Sequence, residues 1–367
     1  MPKKPVIAIV LGTRPEMTKC APVIFAAQKR GISVPIIHTG QHYTFELDRV
    51  FFKELDLPDP EVHVHVGSHR APRQVGLMLD RLMDAYDQVR PDVVMVQGDT
   101  NTVLAGALTA LKMDIPVAHL EAGLRSDDWT MPEEPNRILA DRISKWLFCP
   151  TELQRRRLAA EGIVHDGIHV VGNTAVDASM HFSRISYDKS DIADRLKLHA
   201  RPYLFLTMHR PGNVDEPERL RALIAALEHA ARELGRIIVF PVHPRTKSHM
   251  DEIGLRLSTD CFIELGPIGY LDTLRLMLGS DAVLTDSGGV QEEACVLRVP
   301  CITLRPNTER PETIHVGANV LFKGTHPSDL VQTISERMKI ERVWENPFGD
   351  GRTGERVIDI LEKDFLK

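Results

Sequence analysis

Long apolar runs are missing from this 367-residue chain. None approaches the ~20 consecutive residues that a helix needs to cross a bilayer, so no membrane insertion is expected. The start, Met1-Pro2-Lys3-Lys4-Pro5, has the charge of a secretory n-region. The apolar stretch that follows, 6–11, is too short for an h-region, and Gly12-Thr13-Arg14 closes it with a charge. A cytoplasmic protein is expected. Cysteine is scarce, with five residues (Cys20, Cys149, Cys261, Cys295, Cys301) and no Cys-x-x-Cys pair. An odd, scattered set predicts reduced, mostly buried thiols and argues against a disulfide framework or a zinc site. Excess positive charge is absent too, because 45 Lys and Arg face 51 Asp and Glu, a net of −6. That speaks against generic affinity for nucleic acid or acidic membranes, while leaving room for a local basic pocket that holds a phosphate.

What is present is ordinary for a soluble globular protein, at 43% hydrophobic and 26% charged residues, and the length suits two domains. Short β-branched runs alternate with longer helical patterns, the mark of parallel β/α units. In the first half the predicted strands are 6–11, 34–38, 93–97, 117–120 and 147–149, with helices over 71–89 and 101–113. After a more polar stretch, 178–201, read as a linker, a second series places strands at 203–207, 237–240, 262–265, 282–285, 302–304 and 319–322. Helices over 216–234 and 271–278 separate some of these. Continuously apolar strands imply sheets covered on both faces. The segment 354–366 reads as one amphipathic helix carrying Val357, Ile358, Ile360 and Leu361.

Ligands of open α/β sheets sit beyond the carboxyl ends of the strands, so the residues just after each strand matter most. The first strand is followed by Gly12-Thr13-Arg14-Pro15-Glu16, not by Gly-x-Gly-x-x-Gly, which argues against a nicotinamide or flavin cofactor there. Arg14 and Lys19 instead place two cations near a helix start. Asp99 follows the strand 93–97, either as an N-cap or as a functional carboxylate. Glu121 follows 117–120, and the loop Met131-Pro132-Glu133-Glu134-Pro135-Asn136-Arg137 enters a helix. Three acidic groups on one cleft edge would have raised pKa values suited to proton transfer. In the second half, Met208-His209-Arg210 and His243-Pro244-Arg245 follow successive strands as a positive rim. Asp286-Ser287-Gly288-Gly289-Val290-Gln291-Glu292-Glu293 opens a helix after an apolar strand. Its small residues let backbone N–H groups approach a phosphate, and Glu292 or Glu293 could accept from ribose hydroxyls. Asn307-Thr308-Glu309-Arg310-Pro311-Glu312 adds further charge. His63 and His65 lie, by alternation, on one face of a strand. With no ligand-rich partner segment they read as a solvated face and not a metal site.

In order along nearly the whole chain, GTRPEMTK, TGQH, QGDTNTV, HLEAGLRS, MPEEPNR, VGNTAVD, LTMHR, DSGGVQEEA and NTERPET together closely resemble the non-hydrolysing UDP-N-acetylglucosamine 2-epimerases. Each motif is weak alone, and the ordered set is specific. The resemblance implies an α/β fold of two Rossmann-like doubly wound domains facing a cleft, of the glycosyltransferase-B type. The domains would cover 1–177, joined by the helix 352–367, and 178–351. It implies a homodimer, no cofactor and no metal, and a UDP-sugar substrate bound for cell-surface polysaccharide synthesis.

The activity implied is conversion of UDP-N-acetylglucosamine to UDP-N-acetylmannosamine, through elimination of UDP to a 2-acetamidoglucal and re-addition. The matching catalytic positions are Asp99, Glu121, Glu133 and His209, with the identity of the C2 base left open. Substrate-binding positions are Arg14, Lys19, Ser287, Gly288, Gly289 and Arg310, with Glu293 at the ribose. Some relatives use substrate as an activator, and the matching regulatory positions are Gln41, Arg73, Glu134, Arg210 and His243. The chain departs from the pattern in a shorter loop at 126–131 and at Pro135, Gly212 and Pro306. None of these touches the acid–base set, though they leave the substituents of the sugar open. Rival readings are a related UDP-2-acetamido-sugar epimerase, a hydrolysing epimerase, a glycosyltransferase of the same fold, and a silent sugar-nucleotide sensor.

Overall fold

A computed structural model describes residues 5–41, 45–324 and 326–365. His42 of the TGQH motif and Leu366 at the end of the last predicted helix lie outside them. The chain divides into two compact units, Met1–Ala178 with Phe348–Lys367, and Ser179–Pro347.

The first unit is built on seven parallel strands: β1 (Ile7–Leu11), β2 (Ile36–His38), β3 (Val62–His63), β4 (Val93–Gln97), β5 (Val117–Leu120), β6 (Trp146–Cys149) and β7 (Ile168–Val170). Their order is β3-β2-β1-β4-β5-β6-β7. β1, β4 and β5 are buried along their whole length, as a sheet covered on both faces requires. On one face Ala8, Val10, Val94 and Val96 pack against Met78, Leu82 and Tyr86 of the helix Ala71–Val89 and Val103 and Ala107 of Asn101–Lys112. The helix Arg14–Lys29 packs with the final helix, Thr353–Phe365. Val357, Ile358 and Leu361 of that last helix are completely buried, each worth about 1.5–3 kcal/mol of transfer free energy. Arg30 reaches Asp359 at 2.5 Å, and the N–H of Gly354 donates to Asp177 at 2.8 Å. The chain's end is thus fastened to the unit that holds its beginning.

The second unit carries β8 (Tyr203–Thr207), β9 (Ile237–Pro241), β10 (Phe262–Leu265), β11 (Val283–Thr285), β12 (Cys301–Thr303) and β13 (Asn319–Leu321). Their order is β10-β9-β8-β11-β12-β13, and its core joins Leu204, Leu206, Ile238, Phe240 and Leu284 to Leu223, Ile224 and Leu227 of the helix Pro217–Leu234. Both sheets have the doubly wound order, in which connections reverse direction beside the first strand. The two Rossmann-like sheets expected from the sequence are therefore present.

Several local expectations change. β7 was not predicted, because three partly exposed residues leave little periodic signal, and the strand read through His63 and His65 is the two-residue β3, which ends at His63. His65 lies beyond β3 with φ 54°, so it does not share a strand face with His63, although their rings stack at 5.5 Å. The stretch read as a polar linker is largely helical, with Thr174–Lys189 and Ile192–Arg195. Phe182, Ser186, Ile192 and Leu198 are buried there, so tertiary packing overrides the polar average. All five cysteines are free and buried, and burial pushes Cys149, Cys295 and Cys301 up to about 12. Among the described residues no helix is long and apolar enough to cross a membrane.

Candidate active site

In the first unit the strand order reverses between β1 and β4, and the candidate residues gather at that carboxyl edge. Thr13 caps the helix Arg14–Lys29, and Glu16 completes a capping box. The Glu16 carboxylate accepts the N–H groups of Gly12 at 2.7 Å and Thr13 at 2.9 Å, and the Thr100 hydroxyl at 2.5 Å. It ties the turn after β1 to the turn after β4, and its complete burial raises its pKa despite these bonds. Thr100, not Asp99, is the N-cap of the helix Asn101–Lys112. That removes the capping explanation for Asp99, whose carboxylate instead pairs with Arg137.

Glu121 has φ 66°, a left-handed conformation costly for a residue with a Cβ. The turn continues through Gly123 at φ 80°, where an added Cβ would lie 2.7 Å from the Gln154 carbonyl oxygen. The strained backbone turns the Glu121 side chain to Lys19, whose ammonium sits 2.8 Å from both carboxylate oxygens, and to the Gln97 amide. Glu133 is the first residue of the helix Glu133–Ile143, half-buried, with no hydrogen-bond or ion-pair partner among the described residues. The expected mutual crowding of these carboxylates is thus replaced by separate pairings of Asp99 and Glu121 with cations. Arg14 stacks its guanidinium 4.3 Å from the Phe51 ring centroid.

Of the regulatory candidates in this unit, Gln41 is buried, and its carboxamide oxygen accepts from the Thr102 N–H at 3.0 Å and hydroxyl at 2.8 Å. Glu134 is also buried. It holds the loop through the N–H groups of Ser126 and Asp127 and pairs with Arg137 at 3.0 Å. Arg73 is exposed on the first turn of its helix.

In the second unit the order reverses between β8 and β11. Asp286, wholly buried after β11, accepts the backbone N–H groups of His209 at 3.1 Å and Arg210 at 2.9 Å and the Asn213 amide at 3.1 Å. It also faces His209 Nδ1 at 3.4 Å. Burial holds His209 below the usual histidine range, with Asp286 pulling the other way. The His243 ring lies 5.2 Å from that of His209 and caps the helix Pro244–Glu252 by accepting the Arg245 N–H.

Ser287 precedes the helix Gly288–Val296 and makes no side-chain cap bond to it. An added Cβ on Gly289 meets nothing closer than 4.0 Å, whereas one on Gly288 would meet the Glu309 carboxylate at 2.7 Å. Glu309 is flanked by Arg210 at 3.2 Å and Arg305 at 2.9 Å. Burial alone would raise its pKa, but Arg310, Arg305 and Arg210 outweigh that and bring it down to about 2. Glu292 is buried against Arg310 at 2.5 Å, while Glu293, one residue on, is half-buried.

Sequence reasoning passed over Glu16, His119, Asp141 and Asp286 as site residues, and noted Glu309 only as added charge at the edge. Only Glu16 carried a readable signal, the Thr13-x-x-Glu16 box. His119, Asp141 and Asp286 act through contacts distant in the chain.

Comparison with known proteins gives the family. The family model described as UDP-N-acetylglucosamine 2-epimerase matches residues 25–362. The chain belongs to that family. Membership bears out the expected enzyme class, an isomerase. A UDP-N-acetylglucosamine 2-epimerase of Methanocaldococcus jannaschii is 46% identical over 360 residues, 97% of this chain and 98% of the relative. A UDP-2,3-diacetamido-2,3-dideoxy-D-glucuronate 2-epimerase of Pseudomonas aeruginosa is 35% identical over 97% of this chain and 99% of its own. The crystal structure of a Methanocaldococcus jannaschii UDP-GlcNAc 2-epimerase in complex with UDP-GlcNAc and UDP matches with a TM-score of 0.90 at 46% identity. That match covers 97% of this chain and 99% of the other.

Proposed function

We propose that this 2-epimerase family member inverts C2 of UDP-N-acetylglucosamine to give UDP-N-acetylmannosamine without hydrolysis. The C2 proton is weakly acidic. Its removal becomes feasible when the C1–O bond to UDP breaks on the opposite face, leaving a C1–C2 double bond in 2-acetamidoglucal. UDP then adds back to C1 while a proton reaches the other face of C2, so atoms and charge balance. The observation that carries the reading is the set of carboxylates Asp99, Glu121 and Glu133 on neighbouring segments at the carboxyl edge of one sheet. On this reading they and His209 move the protons. Arg14 and Lys19 bind substrate beside the carboxylates. Ser287, Gly288, Gly289 and Arg310 hold the diphosphate that leaves, and Glu293 holds the ribose. The protein then acts as a cytoplasmic homodimer that feeds cell-surface polysaccharide synthesis.

Incubation with UDP-N-acetylglucosamine in deuterated water should place deuterium at C2 of both epimers, with UDP-N-acetylmannosamine as product and slow leakage of 2-acetamidoglucal and UDP. Complete retention of the C2 hydrogen would sink the mechanism. Free N-acetylmannosamine as the product would assign the hydrolysing reaction instead. Turnover confined to UDP-2,3-diacetamido-2,3-dideoxy-D-glucuronate would move the substrate to that of the Pseudomonas relative.

The cradle has its own test. Gly289 is the better position for it, because a side chain at Gly288 would press on the buried Glu309. The Cβ of Gly289→Val would meet nothing closer than 4.0 Å, and the added side chain would keep a phosphate from the helix N–H groups. Losing one charge-assisted hydrogen bond, at about 1.5–3 kcal/mol, should weaken UDP binding by roughly 10–10²-fold in calorimetry, with an unchanged melting temperature. Unchanged UDP affinity would remove the diphosphate from this helix.

A further inference from the structure

His119 sits on β5, fully buried, two residues before Glu121. Its Nε2 lies 2.7 Å from the carbonyl oxygen of Gly98, which can only accept, so Nε2 carries a proton. Its Nδ1 lies 2.8 Å from Oδ1 of Asp141, a buried residue of the helix Glu133–Ile143. Asp141 in turn accepts the Gly123 N–H at 3.2 Å and the Arg125 guanidinium at 2.7 Å. Both Asp141 oxygens already accept, from the Gly123 N–H and, at Oδ2, the Arg125 guanidinium, so Nδ1 is the donor in the bond to Oδ1. The ring is an imidazolium with both protons in use.

Its bonds reach each segment that carries a candidate acid–base carboxylate. Gly98 begins the turn that holds Asp99, His119 and Gly123 bracket Glu121, and Asp141 lies on the helix that begins at Glu133. We propose that the His119–Asp141 pair is a positioning device that sets these three segments, and hence the three carboxylates, in register. His119 does not touch substrate; it acts through Asp99, Glu121 and Glu133. The kinetic consequence rests on the proposed reaction, while the charge of the ring does not. The groups facing the ring are Asp141 from the helix, the Gly98 carbonyl from the neighbouring turn and Glu121 from the end of its own strand. Arg125 stands on the far side of Asp141. Burial works against the charged ring, but the bond to Asp141, its charge, the Gly98 carbonyl and Glu121 outweigh it and raise the pKa. A buried histidine that served only as packing would keep one ring proton.

The test uses the full-length protein. In ¹⁵N NMR of the wild type at pH 7.5, His119, assigned by its loss in His119→Gln, should show both ring nitrogens protonated. Asp141→Asn removes the counter-charge and should leave one. The same variant should lower kcat by about 10–10²-fold, because small misplacements of catalytic groups cost that much, with KM within about twofold. Its alkaline limb in the pH–kcat profile should move to lower pH. His119→Gln can still donate to the Gly98 carbonyl and should keep more activity than His119→Ala. A singly protonated His119 in the wild type would overturn the proposal, as would an Asp141→Asn profile that superimposes on the wild type. A wild type that turns over no UDP-sugar would sink the reaction, and the protonation state of the ring would still support or overturn the pairing.

Discussion

Glu133→Gln, Glu121→Gln and Asp99→Asn are each expected to slow epimerisation by about 10²–10⁴-fold, the usual cost of losing one proton-transfer group. The substitutions are nearly isosteric and keep hydrogen bonding while removing proton acceptance. Glu133 is the cleanest case, because its carboxylate has no hydrogen-bond or ion-pair partner to disturb among the described residues. Asp99→Asn leaves Arg137 without its ion pair, and Glu121→Gln leaves Lys19 facing an amide at the edge of the core. Those two variants therefore carry a folding cost as well, read separately from the melting temperature. Affinity for UDP, measured by calorimetry, should change far less than kcat. The variant that lacks the C2 base should also lose deuterium wash-in from one epimer more than from the other. Three variants that all stay within tenfold of wild-type turnover would remove these carboxylates from the chemistry.

Asp286→Ala is expected to be the most destabilising of the changes considered. The wholly buried carboxylate satisfies the backbone N–H groups of His209 and Arg210 and the amide of Asn213. Unpaired buried donors cost about 1–3 kcal/mol each, so a loss of about 3–5 kcal/mol in a denaturant titration is expected. Asp286→Asn keeps one acceptor oxygen and should fall between. The pH dependence follows from His209, whose pKa burial holds down although Asp286 raises it. A lowered pKa means that the unfolded chain binds the proton first. Stability therefore falls as pH drops below the ordinary histidine range near ~6.5, and removing Asp286 should deepen that fall. An Asp286→Asn variant as stable as wild type from pH 5 to 8 would show that the capping bonds contribute little.

Much of the fold was legible in the residues. β1, β4, β5, β8 and β9 are mainly apolar runs, and burial on both faces makes such runs stand out. β7 was not legible and β3 was read too long, through His65, because short edge strands with partly exposed residues are defined by hydrogen bonds to a neighbour and not by their own composition. The helix over 174–189 was missed for a related reason. Its charged surface masks the few residues, such as Phe182, that pin it. Asp99 and Glu121 were legible because they come just after strands, and Glu133 because its acidic loop motif opens a helix.

The amino-acid sequence by itself determined the family, the two parallel sheets and which segments lie at their carboxyl edges. These depend on periodicity and on local motifs, which are properties of neighbours in the chain. Only the tertiary structure decided that Thr100, not Asp99, caps a helix, that Lys19 pairs with Glu121 across 102 residues, and that Asp286 holds His209. It alone disclosed His119 as a charged ring between a carbonyl and a carboxylate. The physical reason is the same in each case. A buried polar group must find a partner, and the partner that satisfies it is fixed by strand order and packing, which bring together residues that no local pattern connects.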